Sequence, residues 1–251
     1  MSLDTARFEF SGGDTGILLL HGYTSATPEV RPMGEYLAAR GMHVVAPLLP
    51  GHGTTPADLN KRSWRELADA AADELYQLQG KCSRVYVGGL SMGGLLTLHL
   101  GQRCGGIAGL IPMAPALYVK DPMRFLIPFL KHFLPSIPKS KDLSTRVEDP
   151  DSEYLLWSYD QSPVPFAGEV MSLMHHVRDR LEMIEQPVLA FHGACDRTVP
   201  VKASEALIER ASSSDKEMVL LLHSGHCLSV DGEREAVFAK TWRWIAEREG
   251  R

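Results

Sequence analysis

Six short apolar runs recur along the 251-residue chain, and they constrain its fold more than any other feature. Within each run the apolar residues are consecutive, which is typical of strands buried on both faces of a parallel sheet. The longer amphipathic stretches between the runs can form crossover helices. The sequence therefore predicts an α/β fold with a mostly parallel, doubly wound sheet. The predicted strands are residues 16–22, 43–49, 84–89, 107–114, 187–193 and 217–224.

The amphipathic stretches between these strands are predicted to be helices. Ser63 is followed three residues later by Glu66, and this spacing predicts a capping box at the start of the second helix. The predicted helices are residues 33–39, 63–79, a stretch from 92, and stretches near 168–184, 202–210 and 233–247.

The alternation of strands and helices lapses between residues 117 and 168, where prolines and aromatic residues accumulate. So long a departure inside one compact domain is usually a functional insertion. We therefore expect residues 117–168 to form a lid on a core made of residues 1–116 and 169–251. An ordinary helical excursion with no ligand is the alternative. The aromatic residues of the lid, with Met123, Leu126 and Leu130, are expected to form an apolar acyl slot, and a role as lid core is the alternative. The expected substrate-binding residues are Phe125, Phe129, Trp157 and Val199.

The sequence GLSMG, residues 89–93, places a serine between glycines directly after a predicted strand and before a helix-compatible stretch. This is the context of a nucleophile elbow, in which a strained turn lifts the serine hydroxyl clear of the sheet. A tightly packed turn or a phosphate-binding loop could also be rich in glycine. The chain lacks the G-x-G-x-x-G and Walker A patterns of nucleotide-binding loops at this position.

A serine nucleophile needs a histidine base, and the base needs a carboxylate to fix its tautomer. Asp196 follows the strand predicted at 187–193, and His226 follows the last predicted strand. The chain order of serine, acid and histidine is the order found in hydrolase folds of this type. We therefore predict the catalytic triad Ser91, Asp196 and His226.

Other residues compete for these roles. His223 lies closer to its strand than His226 and is expected to be structural. Asp215 and Asp231 are alternative acids, but neither stands at a strand exit before the base.

An oxyanion hole needs two backbone donors. The amide of Met92 is one by position, and the amide of Tyr23, after the first predicted strand, is the other. His21 is expected to orient this loop, and His52 is expected to be structural. No cluster of histidines and carboxylates predicts a metal site, and no cofactor is expected.

Charge and composition bear on partners and location. The net charge is −5 with both signs interspersed, so nucleic acid and anionic membrane surfaces are not expected partners. The four cysteines have no paired spacing, which favours reduced thiols. No apolar run is long enough for a signal peptide or for integral membrane association. We expect a cytoplasmic protein, and a homodimer is left open.

Several stretches resemble the α/β-hydrolase superfamily, and within it the small bacterial carboxylesterases and monoacylglycerol lipases. They are LLLHGYTSATPEVRPMGEYLAARGMHVVAPLLPGHGTTPADL, VGGLSMGG, HGACDRTVP and SGHCLSVD. The resemblance implies that Ser91 is acylated, that His226 is the base and that a lid covers an acyl-binding cleft. Many relatives carry an aspartate where this chain has Leu48. Glu153 and Asp160 are candidates to read a glycerol headgroup, with ordinary surface carboxylates as the alternative.

The predicted function is serine-dependent hydrolysis of carboxylic esters through an acyl-enzyme, with a small-molecule ester or monoacylglycerol as substrate. A thioesterase, a peptidase or a peroxidase-like enzyme could use the same triad. Related enzymes that attack epoxides or organic halides use a carboxylate as nucleophile, and they are disfavoured because position 91 is a serine. A non-catalytic, hydrolase-like ligand-binding protein is the alternative from another class.

Overall fold

One seven-stranded sheet forms the centre of the molecule in the computed structural model, which describes residues 3–120, 126–130, 133–139, 147–149 and 155–250. A separate two-stranded sheet lies in the region predicted to be a lid. The strands are β1 (Phe8–Phe10), β2 (Thr15–Leu20), β3 (His43–Ala46), β4 (Arg84–Leu90), β5 (Ile107–Met113), β6 (Ser136–Pro138), β7 (Gln161–Pro163), β8 (Val188–Gly193) and β9 (Lys216–Leu221).

Helices cover both faces of the large sheet. Those in the described part of the chain are α1 (Arg31–Ala38), α2 (Pro56–Leu59), α3 (Trp64–Gln79), α4 (Met92–Arg103), α5 (Ile127–Leu130), α6 (Val164–Arg178), α7 (Lys202–Arg210) and α8 (Arg234–Arg248). Short 3₁₀ turns occur at Thr27–Glu29 and Leu181–Met183.

The strand order is β1-β3-β2-β4-β5-β8-β9, with β4 in the middle. All neighbouring pairs are parallel except β1 with β3, where Phe8 lies opposite Ala46. The predicted doubly wound, mostly parallel sheet is therefore confirmed. The antiparallel edge strand β1 is an addition that the apolar runs did not predict.

The sheet separates two buried clusters of side chains. In β2, Leu18 and Leu20 point into one cluster, while Ile17 and Leu19 point into the other. The first cluster includes residues of α3, α4 and α6, and the second includes residues of α1 and α8. All four of these β2 side chains are fully buried, and burying each stabilises the fold by roughly 2 kcal/mol.

The capping box at α3 is confirmed. The Glu66 amide donates to Ser63 Oγ at 3.3 Å, and the Ser63 amide donates to Glu66 Oε2 at 2.6 Å. These two bonds satisfy backbone donors that have no partner within the helix. The start of α3 is therefore fixed by its own sequence.

α6 begins earlier than predicted and crosses the expected boundary between lid and core. It runs from Val164 to Arg178, whereas the sequence predicted a helix near 168–184. Pro165 lies in the first helical turn, where a missing amide hydrogen costs nothing, so this proline starts the helix rather than breaking it. β6 and β7 pair antiparallel just before α6, with Ser136 opposite Pro163.

Within the described residues, no helix is both long and apolar enough to cross a membrane.

Candidate active site

Ser91 occupies the turn between β4 and α4, at the carboxyl end of the central strand. Its backbone φ is +58° and its ψ is −110°, a left-handed conformation that costs a non-glycine residue roughly 1–3 kcal/mol. The amide of Ser91 donates to the Met113 carbonyl at 2.9 Å, and its carbonyl accepts from the Leu95 amide at 3.1 Å. These bonds to β5 and α4 hold the strained turn in place.

The glycines around Ser91 are required by close backbone contacts. A Cβ on Gly93 would lie 2.1 Å from the carbonyl oxygen of Leu20, and one on Gly89 would lie 2.4 Å from the carbonyl oxygen of Gly93. Both distances are far inside van der Waals contact. The G-x-S-x-G pattern therefore allows β4, α4 and the end of β2 to meet at the serine.

Asp196 and His226 are joined by a hydrogen bond in the loops after β8 and β9. His226 Nδ1 lies 2.7 Å from Asp196 Oδ2, and both side chains are buried. Asp196 Oδ1 accepts from the amides of Thr198 and Val199 at 2.7 and 2.9 Å. Both carboxylate oxygens are therefore fixed before any substrate arrives.

Several groups act on the pKa of Asp196. Burial raises it, but the attraction and hydrogen bond of His226, together with the amides of Val199 and Thr198, lower the pKa below its ordinary value. Asp196 is therefore ionised at neutral pH and accepts a hydrogen bond from His226 Nδ1. Nε2 of His226 is then the nitrogen that can take up a proton.

Ser91 and His226 are not hydrogen-bonded in this structure. His226 Nε2 is buried and has no hydrogen-bond partner within the described part of the chain. Catalytic hydrogen bonds often tighten only when substrate is bound. The structure thus pairs the predicted acid and base, and leaves the base nitrogen available.

Gly193, the last residue of β8, explains why the acid and histidine loops lie so close together. A Cβ there would lie 2.2 Å from the carbonyl oxygen of Gly225 and 2.4 Å from that of Ser224. The turn before His226 therefore rests directly on the end of β8.

The alternative acids and base are engaged elsewhere. Asp215 pairs with Arg248 at 2.5 Å, and Asp231 accepts backbone amides such as that of Gly225 at 2.7 Å. The side chain of His223 is exposed, while its amide donates to Glu233 at 2.8 Å. None of these residues meets Ser91 or Asp196.

Tyr23 and Met92, the predicted oxyanion donors, line the same cavity as Ser91. Met92 is the first residue of α4, so its amide has no partner within the helix. The Tyr23 hydroxyl donates to the Pro163 carbonyl at 2.9 Å, which ties this loop to β7.

Glu29 is a buried carboxylate beside the Tyr23 loop that sequence reasoning missed. Its Oε2 accepts from the Gly22 amide at 2.6 Å, and its backbone carbonyl accepts from Ser229 Oγ at 2.6 Å. It thereby joins the loop of Gly22 and Tyr23 to the loop that carries His226. The surrounding sequence TPEV resembles an ordinary helix start, and no local signal points to these distant partners.

His21 and His52 are buried against each other, with ring centroids 4.8 Å apart. The Leu49 amide donates to His21 Nε2 at 3.2 Å, and His21 Nδ1 bonds to the Gly22 carbonyl at 3.1 Å. Burial lowers the pKa of His21 to about 4, although the bond to Gly22 opposes this shift. A neutral His21 therefore braces the loop that leads to Tyr23.

A cavity of about 410 Å³ opens beside Ser91. Its described walls are largely aliphatic and come from α5, β6 and α6, with Lys120, Lys139 and Arg197 among the polar lining. Its apolar lining includes Ile127, Leu130, Ile137 and Val164 from residues 117–168, and Val170, Met171 and Met174 from the rest of α6.

Leu130, expected in the acyl slot, lines this cavity, whereas Phe129, Trp157 and Val199 are not among its described lining residues. Phe129 is 71% exposed on the outer face of α5, the face opposite Ile127 and Leu130. Trp157 packs on Tyr159, with ring centroids 5.1 Å apart. Val199 is fully buried, and its amide holds Asp196. Phe125, Met123 and Glu153 lie outside the described residues, and Asp160 is exposed and is not among the described residues that line the cavity.

No group of three or more metal-binding side chains occurs within the ranges that the structure describes.

The family described as "Serine aminopeptidase, S33" matches residues 14–233, which span β2 to the start of α8. The chain belongs to this family of α/β-hydrolases. The match includes the serine turn and the loops that carry Asp196 and His226.

Curated relatives cover nearly the whole of this α/β-hydrolase. A thermostable monoacylglycerol lipase of Bacillus sp. (strain H-257) is 28% identical, with 97% of this chain and 95% of the relative covered. A carboxylesterase of Bacillus subtilis (strain 168) is 26% identical, with 95% of each chain covered. A solved structure from a study of LipS and LipT, two metagenome-derived lipolytic enzymes, has a TM-score of 0.91 at 24% identity. It covers 97% of this chain and 98% of its own, and it supports the fold.

Proposed function

We propose that this protein hydrolyses carboxylic esters through an acyl-enzyme formed on Ser91. The observation that carries the proposal is the buried 2.7 Å hydrogen bond between Asp196 and His226, at the same end of the sheet as the strained Ser91 turn. Acyl transfer needs an ionised acid, a base nitrogen that is free to take up a proton, and a serine nucleophile. Asp196, His226 Nε2 and Ser91 can supply these three parts. The Bacillus relatives named as lipase and carboxylesterase support an ester as substrate.

In the proposed acylation, Ser91 Oγ attacks the ester carbonyl carbon while His226 Nε2 takes the hydroxyl proton. The carbonyl oxygen becomes an oxyanion, which the amides of Tyr23 and Met92 stabilise. Asp196 stabilises the positive charge on His226 but stays ionised. His226 then returns the proton to the departing alcohol, and the acyl group remains on Ser91.

In deacylation, water replaces the alcohol. His226 takes one proton from the water as the hydroxide oxygen attacks the acyl carbon. The proton then returns to Ser91 Oγ as the bond from the acyl carbon to Ser91 breaks and the carboxylic acid leaves. The aliphatic walls contributed by α5 and α6 would hold the acyl chain. A monoacylglycerol is the substrate we favour, because the chain is similar to the Bacillus lipase over nearly its full length.

We also propose that residues 117–168 act as a lid over this cavity. Ile127, Leu130 and Ile137 lie in this segment and line the cavity, which supports the proposal. A cytoplasmic location stays a prediction from the sequence, and the sequence leaves a homodimer open.

The first test compares wild type with Ser91→Ala and Asp196→Asn on p-nitrophenyl esters and monoacylglycerols of graded chain length. Both variants should keep the fold and lose at least about a thousandfold in kcat, because each removes one part of a cooperating set. The matched control is Asp215→Asn, which alters a surface carboxylate paired with Arg248.

A fluorophosphonate probe followed by intact-mass measurement shows whether Ser91 is the nucleophile. One adduct on wild type and none on Ser91→Ala is the expected result. Near-normal turnover by either folded triad variant would contradict the proposal. Aminoacyl anilides and acyl thioesters in the same panel separate ester hydrolysis from peptidase and thioesterase activity, and binding of esters without turnover would favour a binding protein.

A further inference from the structure

Asp231 lies at the end of the turn that begins with Gly225, and its carboxylate is fully buried. Oδ2 accepts from the Gly225 amide at 2.7 Å, and Oδ1 accepts from the Gly232 amide at 2.8 Å. The amides of Glu148 and Asp149 donate to the same carboxylate at 3.0 Å. An ionised carboxylate has about four acceptor positions, so main-chain amides fill its capacity.

These amides come from two distant parts of the chain. Gly225 directly precedes His226, while Glu148 and Asp149 belong to the segment predicted to be a lid. Asp231 therefore connects that segment to the peptide that carries the base.

Other contacts fasten residues 147–149 to the same region. Val147 is buried in one cluster with Leu228 and Val230, which lie in the turn after His226. Glu148 pairs with Arg197, the neighbour of Asp196, at 3.4 Å. This short segment thus contacts the loops of both the acid and the base.

The turn from Gly225 to Asp231 is held in part by bonds between its own residues. The Leu228 amide donates to the His226 carbonyl at 3.1 Å, and the Asp231 amide donates to the Cys227 carbonyl at 3.1 Å. Both of these bonds lie within the turn, so they fix its shape but not its position. The bond from Gly225 to Asp231 also lies within the turn and closes it. Contacts that relate the turn to the rest of the molecule include His226 Nδ1 to Asp196 Oδ2 at 2.7 Å, Ser229 Oγ to the Glu29 carbonyl at 2.6 Å, and the lid-segment amides to Asp231 at 3.0 Å.

We propose that Asp231 is a positioning residue that ties residues 147–149 to the turn of His226 and so sets where His226 Nε2 lies relative to Ser91. This inference rests on the proposed function. Asp231 touches no reacting atom and acts through His226. Proton transfer depends steeply on placement, and a shift of about 1 Å can cost about a hundredfold in rate. Substrate contacts made by the lid segment would reach His226 through the same carboxylate.

The first experiment compares Asp231→Asn and Asp231→Glu with wild type. Asparagine keeps the shape but presents an NH₂ group to backbone N–H donors, whereas glutamate keeps the ionised acceptor. For Asp231→Asn we expect kcat to fall by at least about tenfold with KM changed by less than about threefold, and Asp231→Glu should recover part of the loss. The downfield NMR signal of the His226 Nδ1 proton should shift or broaden in Asp231→Asn.

The second experiment tests the lid-segment side of the link. Glu148→Pro removes the amide that donates to Asp231, while Glu148→Ala removes only the side chain and keeps that amide. Proline should reproduce the loss of kcat and the change in the His226 signal, and alanine should have a much smaller effect. This pair also covers the case in which Asp231→Asn does not fold.

Unchanged kcat and an unchanged His226 signal in folded Asp231→Asn or Glu148→Pro would overturn the inference. An equal loss in Glu148→Pro and Glu148→Ala would also overturn it, because the backbone amide would then have no special role. If wild type hydrolyses no ester, the proposed function fails separately, and the His226 signal alone decides whether Asp231 positions the histidine.

Discussion

Buried carboxylates that accept main-chain amides are a recurring device at the level of single residues in this site. Glu29 holds Gly22, Asp196 holds Thr198 and Val199, and Asp231 holds Gly225. Hydrogen bonds to charged groups are worth roughly twice those between neutral groups. The loops around Ser91 are therefore fixed by their own acids as well as by packing.

Glu29→Gln should reduce turnover, because the Gly22 amide loses a charged acceptor and the neighbouring Tyr23 amide loses its fixed position. We expect kcat on a short p-nitrophenyl ester to fall by about 10- to 100-fold, with a smaller change in KM. Steady-state kinetics of the purified variant measure this. The control is Glu35→Gln, an exposed glutamate on α1, and equal kinetics for the two variants would refute a role for Glu29.

At the residue scale, the sequence predicted side chains that sit in recognisable local patterns. Ser91, Asp196 and His226 each follow an apolar strand, so their position at one edge of the sheet could be inferred. Glu29 could not be found this way, because its partner Ser229 is 200 positions further along the chain. Asp231 was considered only as a rival acid, since its bonds to Glu148 and Asp149 also depend on tertiary structure.

At the level of elements, β2, β4 and α4 approach one another so closely that Gly89 and Gly93 have no room for a side chain. Gly93→Ala should destabilise the protein by about 1–3 kcal/mol and abolish most turnover, because its Cβ would lie 2.1 Å from the Leu20 carbonyl oxygen and the backbone must shift. Urea unfolding and ester hydrolysis measure the two effects.

Gly105→Ala is the matched control, because a Cβ there has no heavy atom within 4 Å. Stability and kinetics of this variant should equal those of wild type. A Gly93→Ala protein with wild-type stability and turnover would show that the turn at Ser91 does not need the close approach of α4.

The parallel strands were predictable because short runs of consecutive apolar residues typically form strands that are buried on both faces of a parallel sheet. β1 was missed since it has only three residues and one of them, Glu9, is polar. The start of α6 was missed because Pro165 was read as part of an irregular segment, although the first turn of a helix accepts proline. The cavity wall was predicted only in part. Leu130 lines it as expected, but Phe129 is 71% exposed, because aromatic content does not reveal which face of α5 is turned inward.

For the molecule as a whole, buried neutral histidines should make the fold sensitive to acid. Burial lowers the pKa of His21 to about 4, and burial together with His176, Arg103 and Arg180 lowers the pKa of His99 to about 4. The unfolded chain takes up these protons near pH 6.5, and the folded protein does so only near pH 4. Stability should therefore fall as the pH decreases from about 6.5 towards 4, by up to about 1.4 kcal/mol per pH unit for each histidine.

Urea unfolding at several pH values between 7 and 4 measures this slope. His99→Phe keeps an aromatic ring against Trp64 and removes one titrating group, so the variant should lose less stability over the same interval. Identical slopes for wild type and His99→Phe would show that His99 takes up its proton equally in both states.

The left-handed backbone of Ser91 bears on how such a chain can change by mutation. A glycine at position 91 would adopt a φ of +58° without strain, so the substitution that deletes the proposed nucleophile would also relieve roughly 1 kcal/mol or more. Selection for a stable fold alone would therefore favour loss of the serine. Selection for the catalysed reaction would oppose that loss and would preserve a serine at this position.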